Sequence, residues 1–380
     1  MVIWVIGRSY PVPENEMEGS FELEQAKMLA RYGNEVHYLT CLLHPIEKVN
    51  GKRGVHSWEE DGVQVTMLSV FFPPRVYPYY FVNRRNTQWK KLFNKVEQKY
   101  GIPDVIHIHY PAMLMIADAL KVYHDKDVRV VATEHWSKVL SKKLDSIELR
   151  EYKKYTGVLD KIICVGAPLA NSVKELIGID CVVVPNVVNE LFKPTDQQHD
   201  GFRFVAVGRL RKAKQFDKII EAFCDCFEGQ SNIMLTIIGG GDEKDNLQRL
   251  IAERNAQNQV KMVGNQTREK TAEIVSNCDN LICYSTNETF GVPIIEAWAC
   301  GISAIATTAA AVIDKFDKRL GVEVDYKDFD GLKAALKYVY KHRNEYDKTF
   351  VSSYANSRFS EASVYKRIMA IYLGQDQREI

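Results

Sequence analysis

Glu288-Thr-Phe-Gly-Val-Pro-Ile-Ile-Glu296, continuing into Ala-Trp-Ala-Cys-Gly301, sets two carboxylates eight positions apart around a Phe290-Gly291 step and Pro293. Proline has a fixed φ and no N–H, so it opens a helix readily in the first turn. A glycine turn ahead of a helix start presents backbone N–H groups at the positive end of the helix dipole, which favours an anion such as a diphosphate. Glu296 would lie inside the first turns, where a carboxylate can accept both hydrogens of a ribose diol. Glu288, ahead of the turn, can reach hydroxyls on the far side of the phosphates. A glutamate at a helix start is also an ordinary partner for the dipole, so the pattern must agree with the rest of the chain.

It does agree. Short β-branched runs alternate with amphipathic stretches, the pattern of parallel α/β units. Expected strands are 2–6, 36–40, 63–71, 105–108, 129–133, 161–165 and 181–184, then 203–207, 234–238, 261–263, 280–283 and 303–306. Helices fit at 20–32, 82–100, 167–177 and 332–339. At 380 residues the chain is too long for one ordinary core. The expectation is two doubly wound domains joined near residue 190, with ligand beyond the carboxyl ends of the strands.

The strand before Gly208-Arg209-Leu210 is followed by Lys214 just ahead of a helical stretch, and two fixed cations at such a turn can clamp a diphosphate. Ile237-Ile-Gly239-Gly240-Gly-Asp-Glu243 reads as strand, glycine turn and helix start. Together with the Glu288 segment these resemble the Gly-Arg-Leu-x-x-x-Lys-Gly, Gly-x-Gly and Glu-x7-Glu motifs of the retaining GT-B glycosyltransferases, family 4 (group 1) type. Gln215 stands where that pattern has its last glycine. Pro185-Asn186-Val-Val-Asn189 is similar to the family's interdomain hinge, and Val263-Gly264-Asn265 to the loop whose main chain contacts the base.

The resemblance implies two Rossmann-like parallel-sheet domains with a cleft between them. Residues 1–188 would form the acceptor domain, completed by a closing helix over about 355–374, and residues 189–354 the donor domain. The donor site would comprise Gly19, Gly208, Arg209, Lys214, Gly239, Gly240, Val263, Glu288, Thr289, Phe290, Gly291, Val292 and Glu296. Arg209 and Lys214 would hold the diphosphate, Glu296 the ribose and Glu288 the transferred sugar. Asp104-Val-Ile-His107-Ile-His109 and Thr133-Glu134-His135 resemble two strand-end elements of the first domain. His135, with Glu288, Arg209 and Lys214, is expected to be catalytic; His109 and His135 would bind the acceptor, and His107 is expected to be structural. Gly19, beside Glu18, is expected near the donor phosphates.

Asp328-Phe-Asp330 is formally a metal–diphosphate signature of another fold, but carboxylates at a helix start need no metal to explain them. No metal and no other cofactor is expected; the nucleotide-diphosphate-sugar is a co-substrate. The eight cysteines form no C-x-x-C pair, so neither a zinc site nor a disulfide framework is indicated. No leader and no membrane span is read, and a cytoplasmic location is expected.

The net charge of +1 exerts no global pull on nucleic acid, and none is expected as a partner. Locally, Arg75, Arg84, Arg85, Lys90, Lys91, Lys95 and Lys99 interleave with Phe72, Tyr77, Tyr79, Tyr80, Phe81 and Trp89. A second set follows at Lys138, Lys142, Lys143, Arg150, Lys153 and Lys154. Arg84, Arg85, Lys90, Lys91 and Lys95 are read as membrane-facing, because basic side chains near an anionic bilayer contribute about 1 kcal/mol each. The expected partners are then a nucleotide-sugar donor, a glycan or lipid-linked glycan acceptor, and the inner face of the cell membrane. A nucleotide-sugar epimerase and a non-catalytic nucleotide-sugar-binding relative share the pattern. A nicotinamide enzyme does not, since Ile6-Gly7-Arg-Ser-Tyr-Pro11 lacks G-x-G-x-x-G.

Overall fold

The computed structural model describes residues 1–11, 19–44, 53–71, 78–196, 199–313 and 316–375. Glu18, Phe72, Arg75 and Tyr77 lie outside them. The chain forms two compact units, Met1–Val184 with Tyr365–Ile380, and Pro185–Val364.

The first unit holds an eight-stranded sheet. Its strands are β1 (Val2–Gly7), β2 (Glu35–His44), β3 (Gly54–Glu60), β4 (Val63–Phe71), β5 (Val105–His109), β6 (Arg129–Glu134), β7 (Lys161–Cys164) and β8 (Cys181–Val183). Their order is β3-β4-β2-β1-β5-β6-β7-β8, parallel except for β3 against β4. β1 and β5 are buried along nearly their whole length, which is why they read as continuous apolar runs.

β3 was not expected. It is an edge strand with Glu59 and Glu60 on it and no apolar run, and it joins β4 through Asp61-Gly62, both at positive φ (49° and 78°). That two-residue turn is a strong local hairpin signal.

The second unit holds β9 (Phe202–Val207), β10 (Ile233–Ile238), β11 (Val260–Gly264), β12 (Asn280–Cys283), β13 (Ser303–Thr307) and β14 (Gly321–Val324). Their order is β11-β10-β9-β12-β13-β14, all parallel. The four-residue β14 was likewise not expected. The helix Phe216–Phe227 buries Phe216, Ile219, Ile220, Phe223 and Phe227, a stripe at helical spacing that packs on Phe204 and Leu235.

In each sheet the connections reverse direction beside the first strand, at β1/β5 and at β9/β12, and ligands of such sheets bind beyond the strand ends at that point. The loops after β9 and β12, with Arg209, Lys214 and Glu288, and the end of β5, with His109, sit at those two places, whereas Gly239, Val263 and His135 lie at the ends of the flanking strands β10, β11 and β6.

The closing segment is two helices rather than one. Lys348–Phe359 stops at Ser360, whose ψ of 155° is extended, and Glu361–Tyr372 follows. The break leaves the first helix in the second unit and delivers Tyr365 onward to the first. There the Tyr372 hydroxyl meets His107 Nδ1 at 2.6 Å and the Ile371 carbonyl accepts from Arg129 Nε at 2.8 Å. Tyr372→Ala empties a buried aromatic site and should destabilise the first unit by about 3 kcal/mol or more in urea unfolding. Unchanged unfolding would mean that this return contributes nothing.

Candidate functional site

In the second unit the turns after β9, β10 and β11 are laced by backbone hydrogen bonds. Gly208 N–H donates to Ile238 O at 3.0 Å, Gly239 N–H to Gly264 O at 2.9 Å and Leu210 N–H to Gly240 O at 2.9 Å. The contacts are close: a Cβ on Gly239 would come within 2.0 Å of the Gly208 carbonyl oxygen, so only glycine fits. The turns are therefore held rigid. Gln215, at the expected glycine position, has φ of 50°. Its Nε2 donates to Tyr284 O at 2.9 Å and Tyr326 O at 3.1 Å, which fastens the loop after β9 to the ends of β12 and β14.

That loop carries the cations. The Arg209 side chain is exposed and makes no ion pair among the described residues. Lys214 Nζ donates to Glu288 Oε2, joining the β9 and β12 loops directly. Burial opposes the Lys214 charge, but the Glu288 carboxylate more than offsets this and holds its pKa above the ordinary lysine value. Arg209, Lys214 and Glu288 together leave one net positive charge on the loops after β9 and β12.

Gly291 caps the helix Val292–Ala299 at φ 106°, with Pro293 in its first turn. The preceding segment is pinned by a parallel bridge from Glu288 to Ala310 and by Val312 N–H donating to Phe290 O at 2.9 Å. The Phe290 ring is buried against Phe359, Thr289 is half-buried, and Val292 begins the helix. Glu296 is buried one turn on and pairs with Arg268 at 2.8 Å. Val263 O, expected to meet the base, accepts from Gln266 Nε2 at 2.6 Å. A Cβ on Gly240 would meet the Asn265 side chain at 2.9 Å.

In the first unit the β1/β5 switch point gathers Arg8, His109 and His135. Gly19 caps the helix Ser20–Arg31 at φ 85°, packed on the Ser9 carbonyl. His107 is fully buried between Thr133 and Tyr372, each at 2.6 Å. His109 was expected to touch the acceptor, yet it is only 1% exposed. It acts instead on His135, its Nδ1 lying 3.0 Å from His135 Nε2. His135 is half-buried.

Arg8, Glu22 and Glu134 escaped sequence reasoning here. Arg8 lies over the Tyr110 ring and 3.1 Å from the buried Glu22. Glu134 accepts from the backbone of His135 and Trp136 at 2.9 Å, and burial pushes its pKa up to about 7. Desolvation, with Arg8 nearby, pushes His135 down to about 3 and His109 well below its usual value. The histidines are thus neutral hydrogen-bonding groups near pH 7.

The basic face divides. Arg84 donates to Phe71 O, and Arg85 to Met113 O and Leu114 O at 2.8 and 3.0 Å. Both guanidiniums are partly buried chain fasteners, so neither belongs to an open membrane face. Trp89 is core, not an interfacial aromatic. Lys90, Lys91, Lys95 and Lys99 do line the exposed side of the helix Pro78–Tyr100. In the second basic set Lys138, Lys142, Arg150 and Lys154 are paired with acids. Asp328 caps a helix by accepting from Gly331 N–H at 2.8 Å, and Asp330 pairs with Lys333. No described helix is long and apolar enough to cross a membrane.

Residues 22–190 match the family described as Glycosyltransferase Family 4, and residues 187–353 match Glycosyl transferases group 1. The chain belongs to this glycosyltransferase family. It is 24% identical over 304 residues to N-acetyl-alpha-D-glucosaminyl L-malate synthase of Bacillus anthracis, covering 76% of this chain and 75% of that one. It is 28% identical over 220 residues to an uncharacterized glycosyltransferase of Methanocaldococcus jannaschii, covering 57% of this chain and 59% of that one. Sucrose-phosphate synthase from Thermosynechococcus elongatus has the same fold, with a TM-score of 0.79 at 18% identity over 98% of both chains. Anabaena HepE in complex with UDP and glucose superposes with a TM-score of 0.73 at 15% identity, over 98% of this chain and 100% of that one. The fold of this glycosyltransferase is GT-B.

His135 should stay neutral between about pH 5 and pH 8, because its folded pKa lies below the unfolded value of about 6.5. A side-chain NMR titration should show a flat His135 signal in that window, and Arg8→Met should raise the midpoint. A wild-type midpoint near the unfolded value would refute the electrostatic assignment.

Proposed function

We propose that the chain transfers a sugar, with retention of configuration and without a metal, from a nucleoside-diphosphate sugar to a lipid-linked glycan. The single observation that carries this is the Lys214–Glu288 pair, which ties the loop that also carries the exposed Arg209 to the segment that runs into the Gly291 helix start. It combines cations for a diphosphate with a carboxylate for sugar hydroxyls. As the bond from the anomeric carbon to the phosphate oxygen breaks, Arg209 and Lys214 offset the charge that grows on the leaving diphosphate. The acceptor oxygen bonds to the same face of that carbon, and its proton passes to the departing phosphate oxygen. Glu288 orients the sugar. A glycosidase needs a carboxylic acid to protonate a poor leaving group; a diphosphate leaves without one. Glu296 accepts from the ribose diol, and neutral His135 hydrogen-bonds on the acceptor side.

The process best supported is assembly of a bacterial surface polysaccharide such as capsule, O-antigen or exopolysaccharide. Lipopolysaccharide core glycosyltransferase LpsE of Rhizobium meliloti is among the relatives, at 26% identity over 136 residues. The exposed lysines of helix Pro78–Tyr100 would rest on the inner face of the cell membrane, with the protein itself cytoplasmic.

Arg209→Ala and Lys214→Ala should each raise the barrier by about 2–4 kcal/mol, read as kcat in the presence of chelator. Wild-type turnover in both variants, loss of all activity on chelation, or an inverted product by NMR would overturn the corresponding part of the mechanism. Replacing Lys90, Lys91 and Lys95 with Gln should reduce sedimentation with vesicles containing phosphatidylglycerol; equal sedimentation would remove the membrane role.

A further inference from the structure

Arg268 belongs to none of the motifs. It leaves the first turn of the helix Arg268–Ser276, directly after the capping Thr267. Nη1 donates to Glu296 Oε1 at 2.8 Å, where the guanidinium side chain is 36% exposed and the carboxylate side chain 5%. The guanidinium also lies 5.5 Å from the centroid of the buried Phe192 ring. Glu296 Oε2 accepts from no protein donor among the described residues. One oxygen of the carboxylate is therefore anchored and the other is available.

We infer that Arg268 is a positioning residue for the nucleotide, holding the Glu296 carboxylate ionised and oriented to accept the ribose diol. This rests on the ribose role proposed above for Glu296. A buried carboxylate without a cation is costly and responds by taking up a proton. The neutral acid carries a donor of its own and has less capacity to accept from two hydroxyls.

The charges around Glu296 are few. Arg268 faces it from its own helix, and the Cys300 thiol lies at the end of the Val292–Ala299 helix. β13 carries no titratable residue, and Cys283 of β12 faces Lys214 and Glu288 instead. On the packed helix Lys348–Phe359, Arg358 lies over the Tyr354 ring and Lys348 against Gly301. Burial already holds Glu296 above the ordinary carboxyl pKa, and Arg268 draws it down. Without Arg268 the pKa rises, so the ionised fraction, and nucleotide affinity with it, falls away from a higher pH.

Calorimetry from about pH 8 to about pH 5.5 tests this. The probe is whichever of UDP, GDP and ADP gives the largest thermal shift, together with its 2′,3′-dideoxy form. Arg268→Met should move the midpoint of affinity loss up by about one pH unit or more relative to wild type. Arg268→Lys should restore it in part, and Glu296→Gln should bind weakly at every pH. The dideoxy nucleotide should not distinguish wild type from Arg268→Met. If Arg268→Met weakens both nucleotides by one factor at all pH values, Arg268 is a direct or merely structural contact and the inference fails. Wild-type affinity in Glu296→Gln would instead sink the ribose assignment itself, with the inference built on it.

Discussion

The Lys214–Glu288 ion pair is the constraint on which the strand-end loops of the second unit depend. Its partners lie 74 positions apart in the chain and meet because β9 and β12 are neighbours at the switch point of a parallel sheet. Either charge alone, partly buried, would carry an uncompensated desolvation cost. Paired, they tie the loop after β9 to the loop after β12. Gln215 adds two side-chain bonds across the same gap, and the glycine contacts from Gly208 to Gly239 remove freedom on the other flank. In the proposed reaction, such rigidity would spare reorganisation as charge grows on the leaving diphosphate.

The first unit solves a related problem with the opposite sign of preference. Its switch point holds a cation, Arg8, over Tyr110 and beside buried Glu22, with two histidines nearby. Desolvation and that cation suppress imidazolium, so the histidines contribute hydrogen bonds rather than charge. Glu134 ends β6 and holds the next turn through backbone N–H groups, which fixes where His135 stands.

Much of the architecture was legible. Continuous apolar runs marked the strands buried on both faces, and the stripe from Phe216 to Phe227 marked a helix on the sheet. β3 escaped because an edge strand with acids on it has no apolar run, although Asp61-Gly62 announced the hairpin. The closing helix escaped as two because an extended ψ at Ser360 leaves no trace in hydrophobic periodicity. At the start of the helix Val292–Ala299, Gly291 and Pro293 declared themselves through backbone requirements. Arg84 and Arg85 misled, because a guanidinium that donates to distant carbonyls looks in sequence like any other surface charge.

Sequence alone determined the alternation of strands and helices, the family, and the types of residue at the strand ends. Those follow from interactions within a turn or a strand, whose partners lie a few positions away. Only the tertiary structure decided which charges are spent on one another: Lys214 on Glu288, Arg268 on Glu296 and Arg8 on Glu22, with Arg209 in no ion pair among the described residues. Such pairs form between strand-end loops that crossovers bring together. Their strength depends on burial that no local pattern encodes.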